Sequence, residues 1–329
     1  MAEGTSGAAG ERPAYAKGSG SGPALLRASA FPRGPVTVRD TGPDALSNLI
    51  AVLELAADGQ VRCRAATRRP LAATVRLVED VLVAGDYYDR RDEGERIAAF
   101  AWPMLLQAGG LVRLAGSGLE LTPRGEEVLA RPSYQALGTL WERWLRSVSQ
   151  DEFSRIEAIG GQRRTGTLTA PARRRAALAD GLAALEPGRW VEVDALFAVL
   201  RAQPAPLVVA ASPLTRWRLH LGDPRHGSLG PAGGQAWNVL EGRYALCALF
   251  EYAATLGVVD VAYTAARGAR DDYRGLWGAD GYASLSRYDG LAAVRVNELG
   301  AAILHDPGSL PALGLPVPRR TPPSRHHRR

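Results

Sequence analysis

The strongest chemical signal in the first third of the chain is a group of closely spaced arginines. Five arginines fall within 15 positions, and no acidic residue interrupts them: Arg62, Arg64, Arg68, Arg69 and Arg76. Guanidinium groups form planar forks that suit phosphate oxygens and guanine edges. The group therefore predicts contact with double-stranded DNA. A solvated basic loop and a protein-docking patch are the alternatives.

A helix is predicted after Pro70, and its periodicity indicates which of its residues face the core and which are available to contact DNA. Val75 and Val78 lie on its core face, so Thr74 and Arg76 are predicted to point away from the core and to contact base edges. Acidic residues follow directly and would repel phosphate. The DNA-facing surface is therefore expected to end near Arg76.

A second cluster without acidic residues lies further along the chain. Arg163 and Arg164 follow a pair of glycines, and three more arginines occupy 173–175. If the intervening loop folds back, the two arginine clusters would form one patch for an anionic ligand. The alternative is a flexible inter-domain linker that carries charge. Arg163 and Arg164 are counted among the candidate DNA contacts.

Residues 263–290 combine carboxylates with aromatic side chains. Asp271, Asp272, Asp280 and Asp289 could hold a metal or act as acid and base, as in a metal-dependent hydrolase. No histidine accompanies them, and aspartates in turns usually cap backbone amides. We therefore predict no catalytic residue, no metal ligand and no cofactor. The aromatic residues predict a partner-binding flap instead: Tyr273, Trp277, Tyr282 and Tyr288.

The composition excludes several classes of chemistry. Lys17 is the only lysine among the 40 basic residues, and it lies in a Gly/Ser-rich stretch. Phosphate-binding Walker lysines, Schiff-base enzymes and pyridoxal enzymes are thereby ruled out of the folded body. Residues 1–43 and 306–329 account for the whole net charge of +6, so the segment 44–305 is neutral. Only local patches of charge can therefore indicate a nucleic-acid partner.

Cysteine use and hydropathy predict a cytoplasmic protein without a membrane partner. Cys63 and Cys247 lie far apart and match neither a disulfide framework nor a zinc site. No secretory signal is recognised. The apolar stretch at 97–112 is too short and too interrupted to span a bilayer.

Two β-hairpins are predicted from alternating apolar residues. In 110–122, Val112 faces Leu121 on the buried side and Arg113 opposes Glu120 on the exposed side. The segment 257–297 repeats this pattern with a longer loop. Its predicted pairs are Val259 with Val296 and Asp260 with Arg295.

Helices followed by such hairpins resemble winged-helix domains, here twice. The segment 62–82 resembles the helix-turn-helix, and Leu121-Thr122-Pro123-Arg124-Gly125 resembles the exit that follows the wing in regulators of the MarR type. The resemblance implies that a helix reads the DNA major groove and that Arg113 and Arg124 contact DNA from the wing. Blocks at 100–103, 106–110, 151–159 and 285–290 resemble an uncharacterised family of bacterial hypothetical proteins, which implies no particular activity.

The expected fold class is mainly α with small β-hairpins, as two winged-helix-like units joined by a helical segment. The predicted divisions are a disordered tail (1–43), a first unit (44–132), a helical connector (133–188), a second unit (189–305) with a wing insertion (263–290), and a disordered basic tail (306–329). The expected function is that of a non-enzymatic DNA-binding or DNA-complex component. The alternative is an adaptor for a protein partner such as a helicase or nuclease.

Overall fold

In the computed structural model, which describes residues 35–88, 96–230 and 234–312, helices alternate with short antiparallel strands. This agrees with the predicted fold class, which is mainly α with small β-hairpins. The first elements are β1 (Thr37–Arg39), α1 (Gly42–Ala57), α2 (Ala72–Val81), α3 (Ala98–Ala108), β2 (Val112–Ala115), β3 (Gly118–Leu121) and α4 (Pro123–Ala130).

The middle of the chain contains α5 (Tyr134–Arg146), a 3₁₀ turn (Glu152–Arg155), β4 (Ile159–Gly160), α6 (Pro171–Ala183), β5 (Trp190–Glu192), α7 (Val193–Ala202), α8 (Pro213–Arg216), β6 (His220–Leu221) and a 3₁₀ turn (Pro224–His226). A long helix then covers 234–253. It alternates between α and π turns as α9 (Gly234–Trp237), Asn238–Gly242, α10 (Arg243–Cys247) and Ala248–Ala253. The last elements are β7 (Val259–Tyr263), β8 (Leu291–Val296), α11 (Glu298–His305) and a 3₁₀ segment (Pro307–Ala312).

Both predicted hairpins form with the predicted register. In β2 and β3, Val112 lies opposite Leu121 and Arg113 lies opposite Glu120, with a salt bridge of 2.8 Å between the charged pair. The second hairpin pairs Val259 with Val296 and Asp260 with Arg295. Both predicted registers are confirmed. A shift of either strand by one residue would turn all of its apolar side chains to the wrong face.

The two hairpins belong to units with the same order of elements. The first unit consists of α1, a strand-like segment at 61–63, α2, α3, β2, β3 and α4. The second unit consists of α6, β5, α7, the long helix, β7, β8 and α11, with α8 and β6 inserted after α7. In both units the early strand lies beside the second strand of the hairpin, since Arg62 bridges Gly118 and β5 pairs with β8.

Each hairpin leads into its following helix through the same arrangement. The side chain of Thr122 accepts a hydrogen bond from the N–H of Gly125, and that of Asn297 accepts one from Gly300. These contacts are N-caps. Glycine is required at both positions because a Cβ there would collide with the backbone carbonyl of the residue that precedes β2 or β7. The repeated sequence pattern therefore reflects one repeated close contact.

The N-terminal strand β1 corrects the prediction that all of 1–43 is disordered. It pairs antiparallel with the edge of β7, with Val38 opposite Ala262, and extends the sheet to the order β1-β7-β8-β5. Helix α1 begins at Gly42, within the predicted tail. Backbone hydrogen bonds to β7 hold the strand, together with Arg39, whose guanidinium donates to the carbonyls of Gly85 and Asp86. Such a strand leaves no apolar pattern in the sequence.

The predicted C-terminal tail, 306–329, also begins with ordered structure. Pro307–Ala312 forms a 3₁₀ segment in which Leu310 is buried beside Gly138 of α5. A single apolar residue among prolines and glycines gives no periodic signal, which explains the error. Residues 1–34 and 313–329, which include the rest of both predicted tails, lie outside the described residues.

The third helix of each unit is enclosed by the rest of the protein. Residues 98–106 of α3 are all buried, and so are residues 239–253 of the long helix. The two helices pack against each other. Across the three described ranges, no helix combines the length and the apolar character needed to cross a membrane.

Asp260 joins β1, β7 and β8 through one buried carboxylate. One of its oxygens accepts hydrogen bonds from the backbone N–H of Thr41 (2.9 Å) and the amide of Asn297 (2.8 Å). The other oxygen accepts two hydrogen bonds from Arg295, at 3.0 and 2.8 Å. Removing this carboxylate would leave several donors without a partner in the protein interior.

We therefore expect Asp260→Ala to lower the free energy of unfolding by about 3 kcal/mol, since a buried carboxylate that accepts four hydrogen bonds is lost. Asp40→Ala is the matched control because Asp40 also pairs with Arg295 but is 66% exposed. It should cost less than about 1 kcal/mol. Urea denaturation of both variants measures the difference, and equal losses would contradict the role given to Asp260.

Candidate anion-binding cleft

A cleft of about 950 Å³ lies where the first unit meets the segment between α4 and α6. Its walls come from the loop before α2, from α3, from residues 149–164 and from the long helix. Arg69 lines it from the first arginine cluster, and Arg163 and Arg164 line it from the second. The structure thus brings together the two clusters that lie almost a hundred positions apart in sequence.

Glycines place the second cluster beside the cleft. Strand β4 pairs with β6, and Gly160 lies opposite His220. A Cβ on Gly160 would collide with the imidazole ring of His220. Gly161 has φ +82° and lies too close to the carbonyl of Arg218 for a side chain. Only glycine therefore allows the chain to turn here and carry Arg163 to the mouth of the cleft.

The first cluster is held by a tight loop. The N–H of Arg64 donates to the carbonyl of Arg69 (2.8 Å), and the N–H of Arg68 donates to the carbonyl of Arg64 (2.7 Å). Arg68 has φ +59°, a left-handed conformation that is strained for a residue with a side chain. The guanidinium of Arg69 donates to the hydroxyl of Ser154 at 2.6 Å and so joins the loop to the opposite segment.

Three ion pairs fix the segment 151–155, which forms one wall of the cleft. Each pair links this segment to a distant helix: Asp151 with Arg174 (2.6 Å), Glu152 with Arg175 (2.5 Å) and Arg155 with Glu251 (2.8 Å). Arg174, Arg175 and Glu251 are fully buried. Buried charges are stable only when they are paired, so these contacts restrict the segment to one position.

Arg155 lies between the cleft and the protein core. Its guanidinium donates to both carboxylate oxygens of Glu251 and covers the ring of Phe100 at 3.6 Å from the ring centre. The hydroxyl of Tyr288 donates to the same carboxylate. Burial opposes the charge of Arg155, but the carboxylate of Glu251 outweighs it and holds the pKa of Arg155 well above its ordinary value. The charge of Arg155 is therefore already matched within the protein.

The remaining charges give the cleft a positive field. Two carboxylates line it. Asp151 pairs with Arg174, whereas Glu157 is 72% exposed and 3.7 Å from Arg287, so it offsets only one of the charges of Arg69, Arg163 and Arg164. In the described part of the chain, no carboxylate lies within ion-pair distance of Arg69, Arg163 or Arg164. These three guanidinium groups are therefore available to an anionic ligand.

The other predicted DNA contacts lie outside the cleft. The following side chains are exposed on the surface: Arg62, Arg64, Arg68, Arg76, Arg113 and Arg124. Arg64 and Arg68 belong to the same loop as Arg69. Arg62 donates to the hydroxyl of Ser117, and Arg113 pairs with Glu120.

Thr74 does not lie where the sequence predicts. It is only 2% exposed, and its hydroxyl both donates to the carbonyl of Arg62 and accepts from the N–H of Arg62, each at 2.8 Å. The prediction that Thr74 contacts base edges is wrong. The helical pattern predicts that Thr74 points away from the face that contains Val75 and Val78. That side of α2 is covered by the strand-like segment at 61–63, so Thr74 is buried there.

Two of the four predicted partner-binding aromatics are also buried. Tyr273 and Tyr288 are both fully enclosed, and their hydroxyls bond to the carbonyl of Tyr282 and to Glu251. They therefore cannot contact a partner in this structure. Tyr282 is half-buried, while Trp277 is 81% exposed. The sequence pattern could not separate these positions because the 264–290 connection has no regular period.

The carboxylates of this connection meet an arginine. Asp272 and Asp289 lie 2.6 and 3.0 Å from the buried guanidinium of Arg243. Burial alone would raise the pKa of Asp272, but its hydrogen bonds and charge interaction with Arg243 lower it. Among the described residues, no group of three or more His, Cys, Asp or Glu side chains could hold a metal ion. Asp272 and Asp289 therefore act as counter-ions of Arg243.

Sequence reasoning missed several residues that form the cleft, above all Ser154, Arg155 and Phe100. The dense polar block at 151–155 was a usable signal, since charged residues so close together in a helical protein often meet buried partners. Which partners they meet depends on contacts over 23 to 96 residues, and no local pattern encodes those.

No family model matches the chain, and no curated protein or solved structure matches it significantly.

We expect Arg155→Met to lower the free energy of unfolding by about 3–5 kcal/mol, because Glu251 would remain buried without its cation. The double variant Arg155→Met with Glu251→Met should recover most of that loss, since both charges are then absent. Urea denaturation measures both. A double variant no more stable than the single one would show that the ion pair does not account for the effect.

Proposed function

We propose that this protein is a non-enzymatic nucleic-acid-binding component that holds the phosphate backbone on a surface formed by the two arginine clusters. We call this the arginine surface and define it as Arg64, Arg68, Arg69, Arg163 and Arg164. The observation that carries the proposal is that three of these side chains line one cleft without a carboxylate partner in the described structure. Phosphate oxygens are the ligands such guanidinium groups prefer.

The neutral body of the protein supports a local mode of binding. A basic surface attracts DNA only over about a Debye length, roughly 8 Å at physiological salt. The partnered arginines in the core cannot contribute, because their charges are matched by carboxylates. Binding should therefore depend on a few exposed arginines and should weaken steeply with salt.

We also propose that the two units are winged-helix-like. The repeated order of helices, early strand and hairpin supports this. The buried third helix, α3, cannot enter a major groove, whereas α2 keeps Arg76 exposed at its surface. Arg113 and Arg124 are also exposed and can reach phosphates from the hairpin and its exit, since the Arg113–Glu120 pair is too exposed to be strong. With Thr74 buried, contacts to phosphate outweigh contacts to bases, so we expect little sequence preference.

A role as a protein adaptor is the second candidate. The observation that favours it is Trp277, a large aromatic side chain that is 81% exposed on the connection between β7 and β8. Exposed tryptophans frequently anchor protein interfaces. Arg243 holds the base of this connection through Asp272, which would keep Trp277 in place for a partner.

Replacement of Arg163 and Arg164 by alanine should weaken binding to a blunt DNA duplex without unfolding the protein, because both side chains are exposed. A plot of log affinity against log salt should become less steep by about 2, one for each lost phosphate contact. Fluorescence anisotropy over a series of salt concentrations measures both quantities.

The matched control is Arg189→Ala with Arg225→Ala. This variant also removes two exposed positive charges, but each pairs with a nearby carboxylate outside the cleft. It should leave the slope almost unchanged. If the wild-type protein shows no salt-sensitive affinity for DNA, the nucleic-acid proposal is wrong.

A further inference from the structure

We infer that the cleft below the arginine surface receives an unpaired nucleotide, so that the protein prefers DNA with a single-stranded segment over a fully paired duplex. This inference rests on the proposed function and names the class of nucleic acid that the same site takes. It follows from the volume of the cleft, from the residues of its floor and from the position of its charges.

The floor of the cleft has a different chemistry from its mouth. Phe100, Met104 and Tyr252 line it and are each at least nine-tenths buried. Arg69, Arg163 and Arg164 belong to surface loops. A phosphate needs only the charged groups. The guanidinium of Arg155 covers the ring of Phe100, and Tyr252 stacks on Trp144. A base that enters the cleft would therefore stack on the plane of Arg155 beside these apolar side chains.

The volume of the cleft also exceeds what a phosphate contact requires. Its 950 Å³ lies at the upper end of the range for clefts that hold whole organic ligands. Contacts with the phosphates of a duplex take place on an open surface and need no enclosed volume. The space is therefore better explained by a nucleotide that inserts a base below its own phosphate.

Polar side chains within the cleft can bond to the edge of a base. The amide nitrogen of Gln162 donates to the carbonyls of Ile156 and Ile159, which fixes the side chain. Its amide oxygen has no hydrogen-bond partner among the described residues. The exposed hydroxyl of Ser149 also lines the cleft. Such groups can bond to the base only when its pairing edge is free.

A base in a duplex cannot use this site. Its pairing edge is occupied by the opposite strand, its faces are stacked on its neighbours, and only groove edges are accessible. An unpaired base can rotate out and stack on a protein surface. The arginines at the mouth would hold the phosphates on either side of the inserted nucleotide, which orients the strand across the cleft.

The first test compares three DNA probes with the full-length protein at one salt concentration: a blunt duplex, the same duplex with a single-stranded overhang, and the single strand. Stacking of one base predicts about tenfold tighter binding of the two probes with unpaired nucleotides. Equal affinity for all three probes would overturn the inference and leave the proposed function intact. If none of the probes binds, both proposals fail.

The second test places a negative charge inside the cleft and, as a control, beside it. Ala66 lines the cleft, whereas its neighbour Ala65 does not, and both are exposed, so either position accepts a new side chain. Ala66→Glu should remove the preference for unpaired nucleotides, since its charged side chain enters the space that an inserted base needs. Ala65→Glu adds the same charge to the same loop and should retain the preference.

The pair of variants separates an effect on the cleft from a general effect of charge. If both variants keep the preference, the nucleotide binds elsewhere and the inference is wrong. If both lose it equally, the effect comes from the surface as a whole, and the cleft is again not the site. Circular dichroism of both variants checks that each remains folded.

Discussion

Buried pairing of arginines with carboxylates is the constraint on which the arrangement of this protein depends. Asp151, Glu152 and Arg155 lie within one short turn, and each pairs with a helix that is distant in sequence. An unpaired charge in the interior would cost several kcal/mol, so the turn has few alternative positions. Ion pairs join the turn to both α6 and the long helix, and this position of the turn places the loop that follows it beside the first arginine cluster. The cleft is a consequence of these ion pairs.

The same packing decides which surfaces are left for function. The third helices of both units lie against each other and are covered on all sides. A helix in that position cannot also enter a DNA groove. The exposed chemistry is therefore in the loops, where Arg64, Arg68 and Arg69 meet Arg163 and Arg164. Loops positioned by a rigid framework commonly carry binding residues, and the strained backbone of Arg68 lies in one of them.

Local features of the fold could be predicted because their causes are local. The register of each hairpin follows from alternation, since Val112 and Leu121 must share the buried face. The transition from each hairpin into the following helix could be predicted from an N-cap residue and a glycine three residues later, as at Thr122 and Gly125. Strand β1 could not be predicted because it is held by backbone hydrogen bonds to β7 and by Arg39, whose guanidinium donates to the carbonyls of Gly85 and Asp86, and neither leaves an apolar pattern in the sequence.

For the candidate site, the amino-acid order shows which residues carry charge and that no acidic residue interrupts either arginine cluster. It cannot show which charges stay free in space. Arg155, Arg174 and Arg175 are matched by carboxylates, whereas Arg69, Arg163 and Arg164 are not matched in the described structure. Likewise Tyr273 and Trp277 look equivalent in the chain, yet one is enclosed and the other exposed. Pairing and burial depend on contacts between distant segments, and these exist only once the chain has folded.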